Sequence, residues 1–195
     1  MTLGPLIIVS GPAGVGKNTV VARLLKESGL PLRRSVSVTT RSPRPGETDD
    51  VDYHFWTRER FQEQVAAGAF LEYATVHGDN FYGTLRSEVD RYRAEGIGVV
   101  LVIDVQGAAA VRRLYPDAVS VFLNASWDKV VERLEERGTE DRAAIRRRLE
   151  TAREEVRRVG EYDHEIINDD LGDTVARLRD VVAGYFTEGK RCSTN

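Results

Sequence analysis

Gly11-Pro12-Ala13-Gly14-Val15-Gly16-Lys17-Asn18-Thr19 follows the apolar run Leu6-Ile7-Ile8-Val9 and leads into Val20-Val21-Ala22-Arg23-Leu24-Leu25. A short β-branched run, a glycine-rich turn and a segment with helical spacing read as strand, turn and helix. Residues 11–18 fit the phosphate-binding pattern G-x-x-x-x-G-K-[ST] at every position but the last, where Asn18 replaces the hydroxyl that sits on Mg²⁺. The glycines let backbone N–H groups curl inward around an anion, and the helix N-terminus adds favourable partial charge. Lys17 supplies a mobile cation for the outer phosphates. A glycine turn can join strand to helix for packing alone, but here both flanking elements that the pattern requires are readable.

Further along, Val99–Ile103, Val119–Leu123 and Glu165–Ile167 are short apolar runs like Leu6–Val9. Near-continuous apolar runs are expected of parallel strands covered on both faces. Helical patterns lie between and beyond them, at Thr19–Lys26, Ser87–Glu95, Ala108–Leu114, Trp127–Arg137, Ala143–Val159 and Asp173–Tyr185. Strands alternating with helices predict a doubly wound α/β fold. Residues 34–84 break this rhythm with Pro43, Pro45 and Gly46, short aromatic segments and one short helix over Arg58–Ala67. They read as a small mixed insertion. Glu132–Arg153 read as a second, Arg-dense insertion, and the polar Glu188–Asn195 is expected to fray.

The 195 residues suit one α/β domain with insertions. A hydrophobic content of 41% with 30% charged residues excludes a disordered chain. The net charge of −3 argues against a nucleic-acid-coating protein. A single cysteine, Cys192, forms no internal disulfide and fits a reducing compartment. No window has the apolar length of a membrane span, and no leader pattern opens the chain, so a cytoplasmic location is expected.

Ser37-Val38-Thr39-Thr40-Arg41-Ser42-Pro43-Arg44-Pro45-Gly46-Glu47 resembles the signature of guanylate kinases. So do Asp52-Tyr53, Phe70-Leu71-Glu72, Asn80-Phe81-Tyr82-Gly83-Thr84, Asp104-Val105-Gln106-Gly107, Arg137-Gly138-Thr139, Arg148-Leu149 and Asn168-Asp169-Asp170. The matches keep the family's order from about residue 5 to residue 187. The resemblance implies a P-loop core over residues 1–33, 85–125 and 156–195, a GMP-binding insertion over 34–84 and a helical lid over 126–155. It implies ATP and GMP as substrates, with Mg²⁺ accompanying ATP, and no nucleic-acid or membrane partner. A monomer or a homodimer is expected.

The side chains suit those roles. Arg41 and Arg44 flank Pro43 in a turn, and guanidinium forks pair bidentately with phosphate oxygens. Tyr53 and Tyr82 offer phenol donors to the same anion. The Glu72 carboxylate can accept from guanine N1–H and its exocyclic amine, a pairing that adenine cannot make. Ser37 and Thr84 offer small hydroxyls for O6 or N7. Taken singly, these residues would pass for a solvated loop, core aromatics and a strand-edge carboxylate; their combined spacing favours a site. By the resemblance, Ser37, Arg41, Arg44, Tyr53, Glu72, Tyr82 and Thr84 hold the monophosphate. Lys17, Arg137 and Arg148 act on the transferring phosphates, and Asn168 lies near the adenine, helix capping being its other reading.

Two departures lie near the metal. Asn18 lacks the hydroxyl, and Val102 stands where relatives often carry a second acid. An amide oxygen or a bridging water can ligate Mg²⁺. The metal candidates are therefore Asn18 and, through water, Asp104, which could instead meet the guanine amine. Another function class is also compatible: a protein-binding module of the same family with impaired catalysis. Turnover of ATP and GMP discriminates the two.

Overall fold

The computed structural model describes residues 3–76, 80–136 and 142–191. The chain opens with β1 (Leu6–Ser10), α1 (Lys17–Glu27) and β2 (Leu32–Arg34). It continues through β3 (Val38–Thr39), β4 (His54–Phe55), α2 (Arg58–Ala66), β5 (Phe70–Val76) and β6 (Asn80–Leu85). Next come α3 (Arg86–Ala94), β7 (Gly98–Val102), α4 (Val105–Leu114) and β8 (Val119–Asn124). The last stretch holds α5 (Trp127–Glu136), α6 (Arg142–Val156), a 3₁₀ turn at Val159–Glu161, β9 (His164–Ile167) and α7 (Leu171–Arg191).

Among the described residues, β2-β7-β1-β8-β9 form a five-stranded sheet whose pairings are all parallel. β1 is buried along its whole length. Its Ile7 and Val9 face Val20, Leu24, Val175 and Leu178 of α1 and α7, while Leu6 and Ile8 face Val89, Ala108 and Val111 of α3 and α4. Burial on both faces explains why this strand reads as an unbroken apolar run. The smaller sheet, β4-β3-β6-β5, mixes parallel and antiparallel pairs. It has its own core, in which Phe61 of α2 stacks between Phe70 at 4.5 Å and Phe81 at 5.3 Å.

The structure amends the expected elements in two places. β2 is an edge strand of the main sheet that the sequence reading omits, because Leu32-Arg33-Arg34 lacks an apolar run. Residues 188–191, expected to fray, continue α7. The two helices of the Arg-dense insertion also touch: Arg153 is exposed on α6 with its guanidinium 4.9 Å from the Trp127 ring of α5, a cation–π contact.

Candidate active site

The phosphate loop spans the gap between β1 and α1. Gly11 has φ 139° and Gly16 has φ 91°, a region that L side chains rarely enter. A Cβ at Gly11 would also lie 2.0 Å from the Leu123 carbonyl oxygen of β8. Glycine is therefore needed here for conformation and for the close approach of a neighbouring strand. The carbonyl of Val15 is held by two donors. Asn168 Nδ2 donates to it at 2.6 Å and Arg133 at 3.2 Å. The second arm of Arg133 donates to the Asn168 carbonyl at 3.1 Å. Asn168 thus braces the loop, while the start of α7 is capped by Asp170, which accepts the Asp173 N–H at 2.9 Å. Lys17 Nζ folds back onto the loop and donates to the carbonyls of Gly11 at 2.6 Å and Pro12 at 3.1 Å.

Beside the loop lies a cleft of about 190 Å³. It brings Lys17 and Asn18 together with Ser37, Tyr53, Tyr82, Glu72 and Asp104. Glu72 sits next to a register shift between β5 and β6, where Phe70 pairs with Leu85 and Glu72 with Thr84. Such a bulge re-aims the side chain that comes after it. The fully buried Thr84 donates its hydroxyl to Glu72 Oε1 at 2.6 Å. The other oxygen, Oε2, rests against Gly107, where a Cβ would stand 2.9 Å away. Burial is the main force that pushes the Glu72 carboxyl up to about 7. The Thr84 hydroxyl draws it down, and the charge of Asp104 pushes it up.

Asp104 caps α4, with Oδ1 accepting the N–H groups of Gln106 at 2.9 Å and Gly107 at 2.8 Å. The cap leaves Oδ2 as the atom with room for another partner. Arg41 is held by Glu47 through two bonds of 2.7 and 2.9 Å, and its Nε donates to the Tyr82 hydroxyl at 3.1 Å. The Tyr53 and Tyr82 rings meet edge-on at 6.0 Å, and burial raises the Tyr53 phenol. Arg44 is exposed, its N–H donating to Glu47 at 2.7 Å. The two guanidinium forks expected to sit together are thus separated in role: Glu47 clamps one, and the other faces solvent.

A second cavity, of about 500 Å³, adjoins the first and shares Lys17 and Asp104 with it. Ala13, Gln106, Thr151 and Glu155 complete the part nearest the loop. Arg148 is half-buried on α6, two turns before Glu155 and on the same helical face. Arg137 lies outside the described residues.

Four residues of this region escape the sequence reading of the site: Glu47, Gly107, Arg133 and Glu155. Glu47 and Gly107 fall inside quoted motifs, so the sequence carries a signal for them. Arg133 and Glu155 sit among many residues of their own kind on α5 and α6, and nothing in the spacing singles them out.

The chain has relatives among known proteins. A family model described as guanylate kinase matches residues 4–185. The chain belongs to the guanylate kinase family. A guanylate kinase of Symbiobacterium thermophilum is 49% identical over 92% of this chain and 84% of that one. A guanylate kinase of Corynebacterium efficiens is 47% identical over 93% of this chain and 96% of the other. Among solved structures, a guanylate kinase from Anaplasma phagocytophilum superposes with a TM-score of 0.79 at 31% identity, over 94% of this chain and 87% of that one. Membership of the guanylate kinase family agrees with the doubly wound P-loop core. Among the described residues, no helix is long and apolar enough to cross a membrane.

Proposed function

We propose that the protein transfers the γ-phosphoryl group of ATP to GMP, giving ADP and GDP, and that it does so in the cytoplasm. The observation that carries the choice of acceptor is Glu72. Its carboxylate is fixed on one side by Thr84 and backed on the other by Gly107, in a cleft with Lys17. A carboxylate so enclosed matches two adjacent N–H donors and penalises a base edge that leaves it unpaired.

In this reading Gly11, Pro12, Ala13, Gly14, Val15, Gly16, Lys17, Asn18 and Thr19 cradle the ATP phosphates. Asn168 contributes near the adenine, next to the loop that its side-chain amide braces through Val15. Ser37, Arg41, Arg44, Tyr53, Glu72, Tyr82, Thr84 and Asp104 bind GMP. The Tyr82 hydroxyl, already aligned by Arg41, and the Arg41 guanidinium present donors to one phosphate. Thr84 acts from behind, by holding Glu72. Lys17, Arg137 and Arg148 then balance the charge that spreads over the transferring group. The acceptor oxygen of GMP is already anionic, so positioning and desolvation suffice and no protein base is required.

Mg²⁺ arriving with ATP fits the donors present. Asn18 is exposed, and its amide and Asp104 line the same cleft. Among the described residues no group of three His, Cys, Asp or Glu could enclose an ion. That suits an ion that keeps most of its water. When bound, it would neutralise charge between the outer phosphates. The division into a core of 1–33, 85–125 and 156–195, a GMP-binding insertion of 34–84 and a lid of 126–155 belongs to the same proposal. An assay of ADP release with each nucleoside monophosphate tests it. GMP should be the strongly preferred acceptor, and equal rates with AMP would overturn the assignment.

A further inference from the structure

The loop's anion place is not approached by solvent alone. Ala13 N–H, on the loop, donates to Glu155 Oε2 at 3.3 Å, across 142 positions of sequence. Glu155 comes from the last turn of α6 and shares the larger cavity with Lys17 and Asp104. A carboxylate on the rim of a cradle shaped for phosphate is chemically conspicuous. It offers the loop a negative charge of the same kind that the nucleotide brings.

Two roles are conceivable for such a contact. A permanent tie between α6 and the loop would be short and enclosed. This one is a single, long hydrogen bond beside open space of about 500 Å³, into which the side chain can swing. Arg158 lines the same space but is committed to Glu161 through two bonds of 2.8 Å. Burial raises the Glu155 carboxyl above its usual range, and Lys17 is the charge that most favours its ionised form. A polyphosphate beside Lys17 and Ala13 would face this carboxylate at close range, where like charges repel.

We infer that Glu155 is a positioning residue that stands in for the nucleotide's phosphate: it holds the Ala13 N–H and balances Lys17 while the loop is empty, and it is displaced when phosphate arrives. The inference rests on the reading that this loop binds nucleotide phosphates. Its consequence is that Glu155 opposes nucleotide binding through its charge. It also spares the empty loop an unpaired N–H.

Glu155→Gln separates charge from contact, because the amide oxygen can still accept from Ala13. Titration calorimetry with ADP, without divalent metal, should show about fivefold to tenfold tighter binding than in the natural protein, the range expected for removing one like charge beside the phosphates. The KM for ATP should fall while that for GMP stays constant. Glu155→Ala removes both the charge and the contact, so it too should tighten ADP, and it decides the matter if the glutamine variant does not fold. Glu150→Gln, an exposed change on the same helix, serves as the control. Equal or weaker ADP binding by a folded Glu155→Gln protein overturns the inference, since a purely structural tie predicts that result. A natural protein that binds neither ADP nor tripolyphosphate would instead overturn the underlying reading of the loop.

Discussion

Glu72 is ionisable, enclosed and aimed at a cleft, and these properties together give it a pH signature. In the ligand-free protein its carboxyl sits near about 7, against an ordinary value of 4.5. The folded state therefore binds this proton more tightly than the unfolded state. The stability that this group contributes is fully present below about 4.5 and is lost as pH rises through about 7. A guanine edge carries N–H donors and favours the ionised carboxylate. GMP binding should thus release a proton from Glu72 below about pH 7. Calorimetry in two buffers of different ionisation heat measures that release; Glu72→Gln should remove it, leaving only the titration of the GMP phosphate itself. The same variant should lose about 2–4 kcal/mol in kcat/KM for GMP with ATP binding intact. An unchanged KM and kcat for GMP would show that Glu72 does not read the base. Asn18 invites a second test. A planar amide on a longer stem fits an octahedral ion less well than a hydroxyl does. Asn18→Ser should lower the Mg²⁺ needed for half-maximal rate by about tenfold, about 1.4 kcal/mol, with the GMP KM unchanged. Superimposable Mg²⁺ titrations would refute this. Glu72 stands out in the sequence through its place among the other motifs that resemble the family's, not by its own neighbours, since singly it passes for a strand-edge carboxylate. Glu155 does not, because one more glutamate in an Arg- and Glu-rich helix carries no mark until the fold lays that helix against the loop.

At the scale of elements, the long apolar strands are legible in the sequence, and β2 is not. The runs at Leu6–Val9, Val99–Ile103 and Val119–Leu123 owe their composition to burial on two faces, so pattern and environment coincide. β2 lies at the edge of the sheet and carries Arg33 and Arg34, so its place is set by pairing with β7. The same contrast explains the insertion. Its sheet has two strands of only two residues, β3 and β4, and depends on side-chain packing around Phe61. That dependence is testable. Phe61 is almost fully buried between two rings, and Phe61→Ala should destabilise the protein by about 3–5 kcal/mol. Because Phe70 and Phe81 flank Glu72 and Tyr82 in sequence, GMP use should fall more than ATP binding. Denaturant melts with parallel ligand titrations check both effects. A melt within about 1 kcal/mol of the natural protein would mean that the cluster repacks easily.

For the molecule as a whole, Asn18, Ser37, Tyr53, Glu72 and Tyr82 come from distant parts of the chain to one cleft with Lys17 and Asp104, and these last two line both cavities. An open arrangement would pass phosphate to water, so the insertion and the lid should close together over paired substrates. Distance probes on residues 34–84 and 126–155 should report approach when ATP and GMP are both present. Identical distances with and without both ligands would refute closure. The resting position of Lys17 also bears on product release. Its ammonium begins on the carbonyls of Gly11 and Pro12, so seizing a phosphate exchanges one set of bonds for another instead of adding bonds to a bare cation. The exchange holds down the affinity for every nucleotide that enters, the spent one included. After transfer, the lysine has somewhere to return to, and ADP can leave quickly enough for the next cycle to begin.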